Sequence, residues 1–313
     1  MIYKDLGNSG LKISVIGMGC WPIAGQGWTG TNEKESLAAL DAAIDGGITL
    51  IDTAYMYGQN GESERLVGKA IRQRRGEIIL ATKCGIFWEG NNLIRDSSKE
   101  RINKQIEESL LRLNTDYIDL YQIHAPDDNT PLEETAATLY KLKEQGKIRA
   151  IGVSNYDLNQ IATFSQYTSL DSIQPPYNPL IREIENDILP FCQNNKISVI
   201  SYWPLYKGLL TGKYRHGHQF PEGDSRNDDN RFKGEAMNQT LEILDRLRPI
   251  GEEYGKSVAQ LIIHWTSRQQ GITSVLCGAT RVKQVEDNIE AVGWTISEDH
   301  CCLIDKIVAD LYV

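Results

Sequence analysis

IDLYQI-HAPDDNT-PLEETAATLYKLKEQG-KIRAIGV, residues 118–153, is the stretch of this chain that decides the fold. It contains two short β-branched runs, Ile118–Ile123 and Ile148–Val153, separated by a segment with helical period. Pro131 suits the first turn of that helix and Gly146 its end. Two strands joined by a helix of this length are typical of a parallel pair with a crossover helix.

The same alternation of strand and helix runs outward over the rest of the 313 residues. A hairpin-like start, Ile2–Leu6 and Leu11–Ser14, precedes it. The strand candidates are Val15–Gly19, Thr49–Asp52, Ile78–Thr82, Ile118–Ile123, Ile148–Val153, Asp171–Gln174, Ser198–Tyr202 and Thr273–Leu276. We therefore predict an α/β protein, a (β/α)8 TIM barrel in a single domain, residues 1–313, with an N-terminal β-hairpin. Long loops are expected at the C-terminal face, above all the polar segment Gly208–Gly234.

Composition excludes several classes of protein. The formal net charge is −9 and no basic face is visible, so nucleic-acid binding is not expected. No uninterrupted apolar stretch of membrane-spanning length occurs. The six cysteines show no CxxC spacing, which indicates reduced thiols and a cytoplasmic protein. The composition is compatible with a monomer or a weak homo-oligomer.

Polar residues follow nearly every predicted strand. They are Asp52, Tyr57, Lys83, His124, Asn155, Gln174 and Tyr202. Each alone has an ordinary explanation, such as a helix cap or a solvated charge. Together they point to one site, because barrel enzymes carry their chemistry at the C-terminal ends of the strands.

Four of these residues form a set suited to carbonyl reduction, which needs an acid to protonate the developing alkoxide. Tyr57 could be that acid, with Lys83 beside it lowering the pKa of the phenol. Asp52 could pair with the lysine, and His124 could bind the carbonyl oxygen.

Residues 47–58, GITLIDTAYMYG, resemble the signature of the aldo-keto reductases. The resemblance covers essentially the whole chain, through the further motifs Glu62–Glu64, Leu66–Gly68, Ala81–Lys83, Gln122–Asp127, Gly152–Asn155, Gly208–Lys213 and Gly278–Asn288. From Gln174 to Phe232 the sequence looks closest to the bacterial subgroup that includes reductases encoded with inositol-catabolism genes.

The resemblance implies an NAD(P)H-dependent enzyme that reduces aldehydes, ketones or sugars, or oxidises the corresponding alcohols. Tyr57 would be the proton donor, with Asp52, Lys83 and His124 completing a tetrad. In the family's pattern Tyr202 stacks on the nicotinamide, Ser154, Asn155 and Gln174 bind its carboxamide, and the remaining residues line the phosphates and adenosine. The implied cofactor residues are Cys20, Trp21, Asp52, Ser154, Asn155, Gln174, Tyr202, Pro204, Leu205, Lys207, Lys213, Gly278, Thr280, Arg281, Gln284, Asp287 and Asn288. Trp21, Tyr55 and Trp88, with Trp28, could form an apolar wall around the substrate.

Two departures from the family's pattern concern the cofactor. Trp203 stands where a small residue commonly follows the stacking aromatic. Thr280 aligns with a frequent adenosine-site arginine, which leaves Arg281 as the cation for a 2′-phosphate and favours NADPH over NADH.

Two motifs are interpreted as unrelated to function. Gly25–Gly30 matches GxGxxG, but Asp45 is expected at the end of a helix and a Rossmann acid ends a strand. His216 and His218 lack carboxylate or thiol companions, so no metal site is expected.

Two other functions remain open from the residues alone. The chain could be a cofactor-binding sensor with little turnover, as channel-associated members of the family are. It could also be a Schiff-base aldolase that uses Lys83, although a neighbouring Asp52 would oppose the deprotonation which that chemistry needs.

Overall fold

The computed structural model describes residues 1–25 and 31–311. Within these residues, eight parallel strands close into a barrel. In chain order the strands are β1 (Tyr3–Asp5), β2 (Lys12–Ser14), β3 (Ile16–Gly19), β4 (Leu50–Asp52), β5 (Ile79–Cys84), β6 (Ile86–Glu89), β7 (Asn92–Arg95), β8 (Ile118–Ile123), β9 (Ile148–Ser154), β10 (Ser172–Gln174), β11 (Ser198–Ser201) and β12 (Ile272–Gly278). The barrel runs β3, β4, β5, β8, β9, β10, β11, β12, and β12 pairs with β3. The predicted (β/α)8 barrel is confirmed.

Helices connect most of the barrel strands and surround them. They are α1 (Glu33–Asp45), α2 (Glu62–Ile71), α3 (Lys99–Leu113), α4 (Leu132–Glu144), α5 (Leu158–Phe164), α6 (Ile188–Asn195), α7 (Gly234–Glu253), α8 (Val258–Arg268), α9 (Val282–Ile289) and α10 (Glu298–Leu311). The side chain of Asn32 accepts a hydrogen bond from the Glu35 amide and starts α1. Asp45 is the last residue of α1, as predicted, so it does not end a strand. The rest of the GxGxxG match, residues 26–30, lies outside the described residues.

Strand alternation divides the buried residues into two layers. Successive side chains of a strand point to opposite faces. On β8, Leu120 therefore belongs to the apolar cluster inside the barrel, while Tyr121 packs in the cluster between the barrel and its helices. Leu50 and Ala81 also belong to the inner cluster. Asp52 and Lys83 stand two positions after them, so their side chains point to the same inner side.

The β1–β2 hairpin closes the N-terminal end of the barrel. Leu6, Leu11 and Ile13 belong to the same inner cluster as residues of the barrel strands. The Gly7 amide donates to Ser198 Oγ at 2.8 Å, which attaches the hairpin to β11. The apolar filling at this end leaves the polar residues at the opposite, C-terminal end.

Three features differ from the sequence-based expectation. The β6–β7 hairpin, in the loop after β5, was not predicted. Ser97 and Glu100 have the sequence spacing of a capping box, but Ser98 caps α3, since its Oγ accepts from the Arg101 amide. The polar segment Gly208–Gly234 contains short 3-10 turns before α7.

None of the helices in the described part of the chain combines the length and apolar character needed to cross a bilayer.

The attachment of the hairpin depends on a glycine. Gly7 has φ +53°, and a Cβ there would lie 2.4 Å from the carbonyl oxygen of Asp171. Gly10, in the same turn, has φ +75° but nothing within 4 Å of an added Cβ. We expect Gly10→Ala to lower the free energy of unfolding by about 1 kcal/mol, for the left-handed backbone alone. Gly7→Ala should lower it by roughly 2 kcal/mol more, for the clash.

Urea titration of both variants measures this difference. Equal losses for Gly7→Ala and Gly10→Ala would contradict tight packing of the hairpin against the start of β10.

Candidate active site

Polar side chains collect where the parallel strands end. Asp52 is the last residue of β4, Gln174 the last of β10, and His124 directly follows β8. Tyr202 follows β11, which ends at Ser201 rather than at the predicted Tyr202. Because all eight strands run in the same direction, their carboxyl ends meet around one opening.

Lys83 is the centre of this group. Its Nζ lies 2.5 Å from Asp52 Oδ1, 2.8 Å from the Thr53 carbonyl oxygen and 3.4 Å from Tyr57 Oη. Lys83 is 1% exposed and Asp52 is 2% exposed. The ring of His124 meets that of Tyr57 edge-on, with centroids 5.6 Å apart. The structure thus brings together the four side chains that the sequence proposed as a set.

The charges of the group follow from burial and pairing. Burial raises the pKa of the Tyr57 phenol; Lys83 works against this rise and Asp52 adds to it. The expected lowering by Lys83 is present, but it does not set the net direction. For Lys83 burial opposes the charge, yet Asp52 and Tyr57 outweigh it and raise the pKa of the ammonium. At neutral pH the site therefore holds a protonated phenol beside an ion pair.

His124 is a neutral imidazole. Burial lowers its pKa well below the usual value, and Lys83 and Arg95 lower it further. Its buried Nδ1 has no hydrogen-bond partner among the described residues. A buried N–H without an acceptor is costly, so this environment favours the tautomer with hydrogen on Nε2. That hydrogen is then available to an oxygen in the cleft.

A cleft of about 490 Å³ opens beside these residues. At its inner end the Tyr202 hydroxyl donates to Asn155 Oδ1 at 2.8 Å, and Asn155 Nδ2 donates to the His124 carbonyl at 2.9 Å. Ser154 Oγ donates to the backbone carbonyl oxygen of Gln174 at 2.8 Å. The cleft therefore offers an aromatic ring and several amide and hydroxyl groups next to the tetrad.

Cations gather at the other end of the cleft. Burial lowers the pKa of Lys213, and the positive charges of Arg226 and Arg281 contribute to the lowering. Arg226 is paired with Asp224 at 2.6 Å, and Arg281 lies 3.4 Å from Glu35. All three cations line this end of the cleft, where they could contact phosphate groups.

The cleft wall after β11 has an unusual backbone. Trp203, Tyr206 and Lys207 have φ values of 60°, 48° and 54°, in the left-handed region. Lys207 Nζ pairs with Asp229 at 3.1 Å, and the Arg231 guanidinium also pairs with Asp229. Arg231 lies over the rings of Trp203 and Tyr206. The segment that carries Asp229 and Arg231 therefore holds the strained segment 203–207 in place.

Known proteins share this architecture and sequence. The model of the Aldo/keto reductase family matches residues 15–309. Aldo-keto reductase YhdN of Bacillus subtilis is 44% identical over 302 residues, 96% of this chain and 91% of that protein. The NADH-specific methylglyoxal reductase of Escherichia coli is 35% identical over 98% of both chains. The solved structure of glycerol dehydrogenase AKR11B4 from Gluconobacter oxydans superposes with a TM-score of 0.92, at 37% identity, covering 99% of this chain and 95% of the other.

The chain belongs to the aldo/keto reductase family.

In this aldo-keto reductase the cleft is lined by most of the residues that the sequence indicated for the cofactor. They are Cys20, Trp21, Asp52, Ser154, Asn155, Gln174, Tyr202, Pro204, Leu205, Lys207, Lys213, Gly278, Thr280, Arg281 and Gln284. Asp287 and Asn288 do not line the cleft as the described residues form it. Asp287 pairs with Lys283 at 3.0 Å, and Asn288 is buried within α9. Any role of these two at the adenosine end stays a prediction.

The predicted aromatic wall is divided between two pockets. Trp21 lines the main cleft, whereas Tyr55 and Trp88 line a second pocket of about 310 Å³. Met56 lines both, and its carbonyl oxygen accepts a hydrogen bond from Trp88 Nε1 at 2.9 Å. Trp28 lies outside the described residues.

Sequence reasoning missed several cleft residues of this reductase. Thr31, Met56 and Arg226 line the cleft without having been named. Met56 stands between Tyr55 and Tyr57 in the signature, so its position was a usable signal. Arg226 comes from the segment interpreted as a loop, where sequence carries no information on which residue turns inward.

The histidine pair His216 and His218 does not form part of a metal-binding group. Among residues 1–25 and 31–311 there is no cluster of three or more His, Cys, Asp or Glu side chains placed to hold a metal ion. His216 Nδ1 instead lies 2.7 Å from Asn238 Oδ1.

The Lys83–Asp52 pair should behave as one unit in folding. Asp52→Asn leaves a buried ammonium without its carboxylate, and we expect it to lower the free energy of unfolding by about 3 to 5 kcal/mol. Lys83→Met leaves the carboxylate without its cation. The double variant removes both charges and should recover much of the loss, a coupling that a double-mutant cycle by urea denaturation measures. Additive losses would show that the two charges do not stabilise each other.

Proposed function

We propose that this protein is an NADPH-dependent reductase of aldehydes and ketones in which Tyr57 donates the proton. The observation that carries the proposal is the buried Lys83, paired with Asp52 and 3.4 Å from the Tyr57 hydroxyl at the edge of the cleft. A lysine kept charged by Asp52 is a poor Schiff-base nucleophile, which argues against an aldolase. The complete tetrad argues against a sensor without turnover.

The chain's own residues account for the proton and for the oxygen. A nicotinamide cofactor supplies or accepts the hydride when it is bound. His124, neutral with hydrogen on Nε2, donates a hydrogen bond to the carbonyl oxygen and orients it. Tyr57 passes its proton to that oxygen as negative charge develops there. Lys83 stabilises the resulting phenolate, and Asp52 keeps Lys83 charged and in place.

The cleft fits such a cofactor at both ends. Tyr202 offers a ring face, and Ser154, Asn155 and Gln174 offer polar atoms suited to a carboxamide. Pro204, Leu205, Lys207 and Lys213 would line the pyrophosphate. Gly278, Thr280 and Gln284 precede or begin α9, where backbone amides can meet the adenosine end.

Arg281 supports NADPH rather than NADH as the cofactor. It lies at the start of α9, lines the cleft, and contributes to the positive field that lowers the pKa of Lys213. A 2′-phosphate adds charge where these cations meet. The NADH specificity of the Escherichia coli relative makes this preference worth measuring directly.

We propose a broad substrate class and a reducing setting for this enzyme. Small aldehydes, ketones or sugars suit the cleft, and the sequence likeness from Gln174 to Phe232 supports membership of the bacterial subgroup that includes inositol-operon-type reductases. Six free cysteines support a reducing, cytoplasmic setting. A monomer or weak homo-oligomer is expected.

Removing the Tyr57 hydroxyl tests the proposed reaction. With NADPH and 4-nitrobenzaldehyde or methylglyoxal, Tyr57→Phe should lower kcat at least about a hundredfold, because the proton donor is lost. NADPH oxidation followed by absorbance at 340 nm measures it.

Tyr121→Phe is the matched control, since Tyr121 is also a buried tyrosine but packs between barrel and helices. It should keep kcat within about threefold of wild type. Tight NADPH binding without turnover by the wild type would refute the reductase and favour a cofactor-binding sensor.

Arg281 tests the choice of cofactor. Arg281→Ala should raise the Kd for NADPH about tenfold, because one charged contact to phosphate is lost, and leave that for NADH within about twofold. Fluorescence titration of both cofactors measures the two constants. Lys283→Ala, which removes an exposed cation two residues away, should change neither. Equal weakening of NADPH and NADH by Arg281→Ala would contradict a 2′-phosphate contact.

A further inference from the structure

A layer of hydrogen bonds crosses the barrel interior just below the cleft. Its middle member is Gln122, fully buried on β8. Gln122 Nε2 donates to Asp52 Oδ2 at 3.2 Å. Gln174 Nε2 donates to the same Asp52 oxygen at 3.0 Å and to Gln122 Oε1 at 3.3 Å. The three side chains, from β4, β8 and β10, therefore form a closed triangle.

The space for Gln122 is provided by Gly152 on β9. A Cβ at Gly152 would lie 2.7 Å from Gln122 Cγ and 2.6 Å from Ser172 Oγ. The backbone of Gly152 is outside the left-handed region, so conformation does not require glycine there. What the position requires is room for the glutamine to reach across the barrel.

The triangle decides which atom of Gln174 can face a ligand. An amide nitrogen has two hydrogens, and those of Gln174 are directed at Asp52 and Gln122. The group left for a ligand in the cleft is Oε1, an acceptor. An acceptor at this place can bind the NH2 group of a carboxamide but cannot form a hydrogen bond with a carbonyl oxygen.

The triangle also fixes the orientation of Asp52. One carboxylate oxygen faces Lys83, and the other accepts from both glutamines. The carboxylate is therefore held from two sides, and Lys83 is held near Tyr57 in turn. Hydrogen bonds to a charged group in a buried network are strong and cooperative.

We propose that Gln122 is a positioning residue that links the carboxamide end of the cofactor site to the catalytic tetrad. It holds Gln174 with its oxygen toward the cleft and holds Asp52 with one oxygen toward Lys83. The proposal rests on the proposed function, because it assigns the carboxamide contact to Gln174.

The test compares the binding of two cofactors to variants of the full-length protein. In the 3-acetylpyridine analogue of NADP⁺ a methyl group replaces the carboxamide NH2, so the bond to Gln174 Oε1 cannot form. Wild type should bind NADP⁺ about tenfold more tightly than the analogue, a discrimination of one hydrogen bond. Gln122→Met keeps the length and removes one of the two contacts that hold the Gln174 amide and one of the contacts that hold Asp52. This variant should reduce the discrimination below about threefold and lower kcat for NADPH-dependent aldehyde reduction about tenfold.

Gln105→Met is the matched control. Gln105 is also a fully buried glutamine, but it bonds to the backbone of Gly85 and Ile86. It should lose stability and keep the wild-type discrimination. If Gln122→Met does not fold, Gln122→Glu keeps the acceptor for Gln174 and adds a carboxyl beside Asp52; it should keep the discrimination and lower kcat.

The outcomes separate this proposal from the proposed function. If the wild type binds NADP⁺ and turns over, but Gln122→Met and Gln105→Met give the same discrimination and the same kcat, the positioning role alone is overturned. A full kcat in Gln122→Glu would overturn the link to Asp52. Wild type that neither binds NADP⁺ nor reduces aldehydes would overturn the proposed function and this inference with it.

Discussion

The structure depends on one buried charge. Lys83 is 1% exposed, and an ammonium at that depth costs several kcal/mol unless a carboxylate lies against it. Asp52 can reach it only because β4 and β5 are adjacent, with Asp52 opposite Ala81, two residues before Lys83 on the same face. The charged state of Lys83 therefore depends on the pairing of β4 with β5. Burial sets the direction of the pKa shifts of Tyr57 and His124, and the Lys83 ammonium acts on both groups as well.

The barrel and its tetrad could be predicted because both follow from short-range pattern. Alternating strands and helices determine a parallel barrel, and a parallel barrel brings strand ends together wherever they stand in the sequence. Asp52, Lys83 and His124 each follow a buried run directly, so their location required no knowledge of loops. The end of α1 at Asp45 was predictable for the same reason, because helix ends carry local signals.

What the sequence did not predict depends on contacts between distant segments. The β6–β7 hairpin is an exception, because it is local: β6 and β7 pair across residues 90 and 91, and a glycine in so short a turn is a hairpin signal. Near the start of α3, Asp127 accepts a hydrogen bond from the Ser97 amide, and Ser98 caps the helix. The net rise in the pKa of Tyr57 comes from burial, which no local pattern reveals. That Gln122 points into the barrel could have been predicted, since it stands two residues after the inward-facing Leu120. Its partners, Asp52 and Gln174, come from strands 70 and 52 residues away, so its role needed coordinates.

The strained wall after β11 has a consequence for how this family can diversify. Trp203, Tyr206 and Lys207 keep left-handed backbones without being glycine, and each does so at a cost of order 1 kcal/mol that Asp229 and Arg231 help to offset. The conformation of each segment therefore depends on side chains of the other. A lineage that loses the acidic anchor at 229 keeps this loop shape most easily by acquiring glycine at 203, 206 or 207. Changes in the two segments should therefore appear together among homologues, even though more than 20 residues separate them.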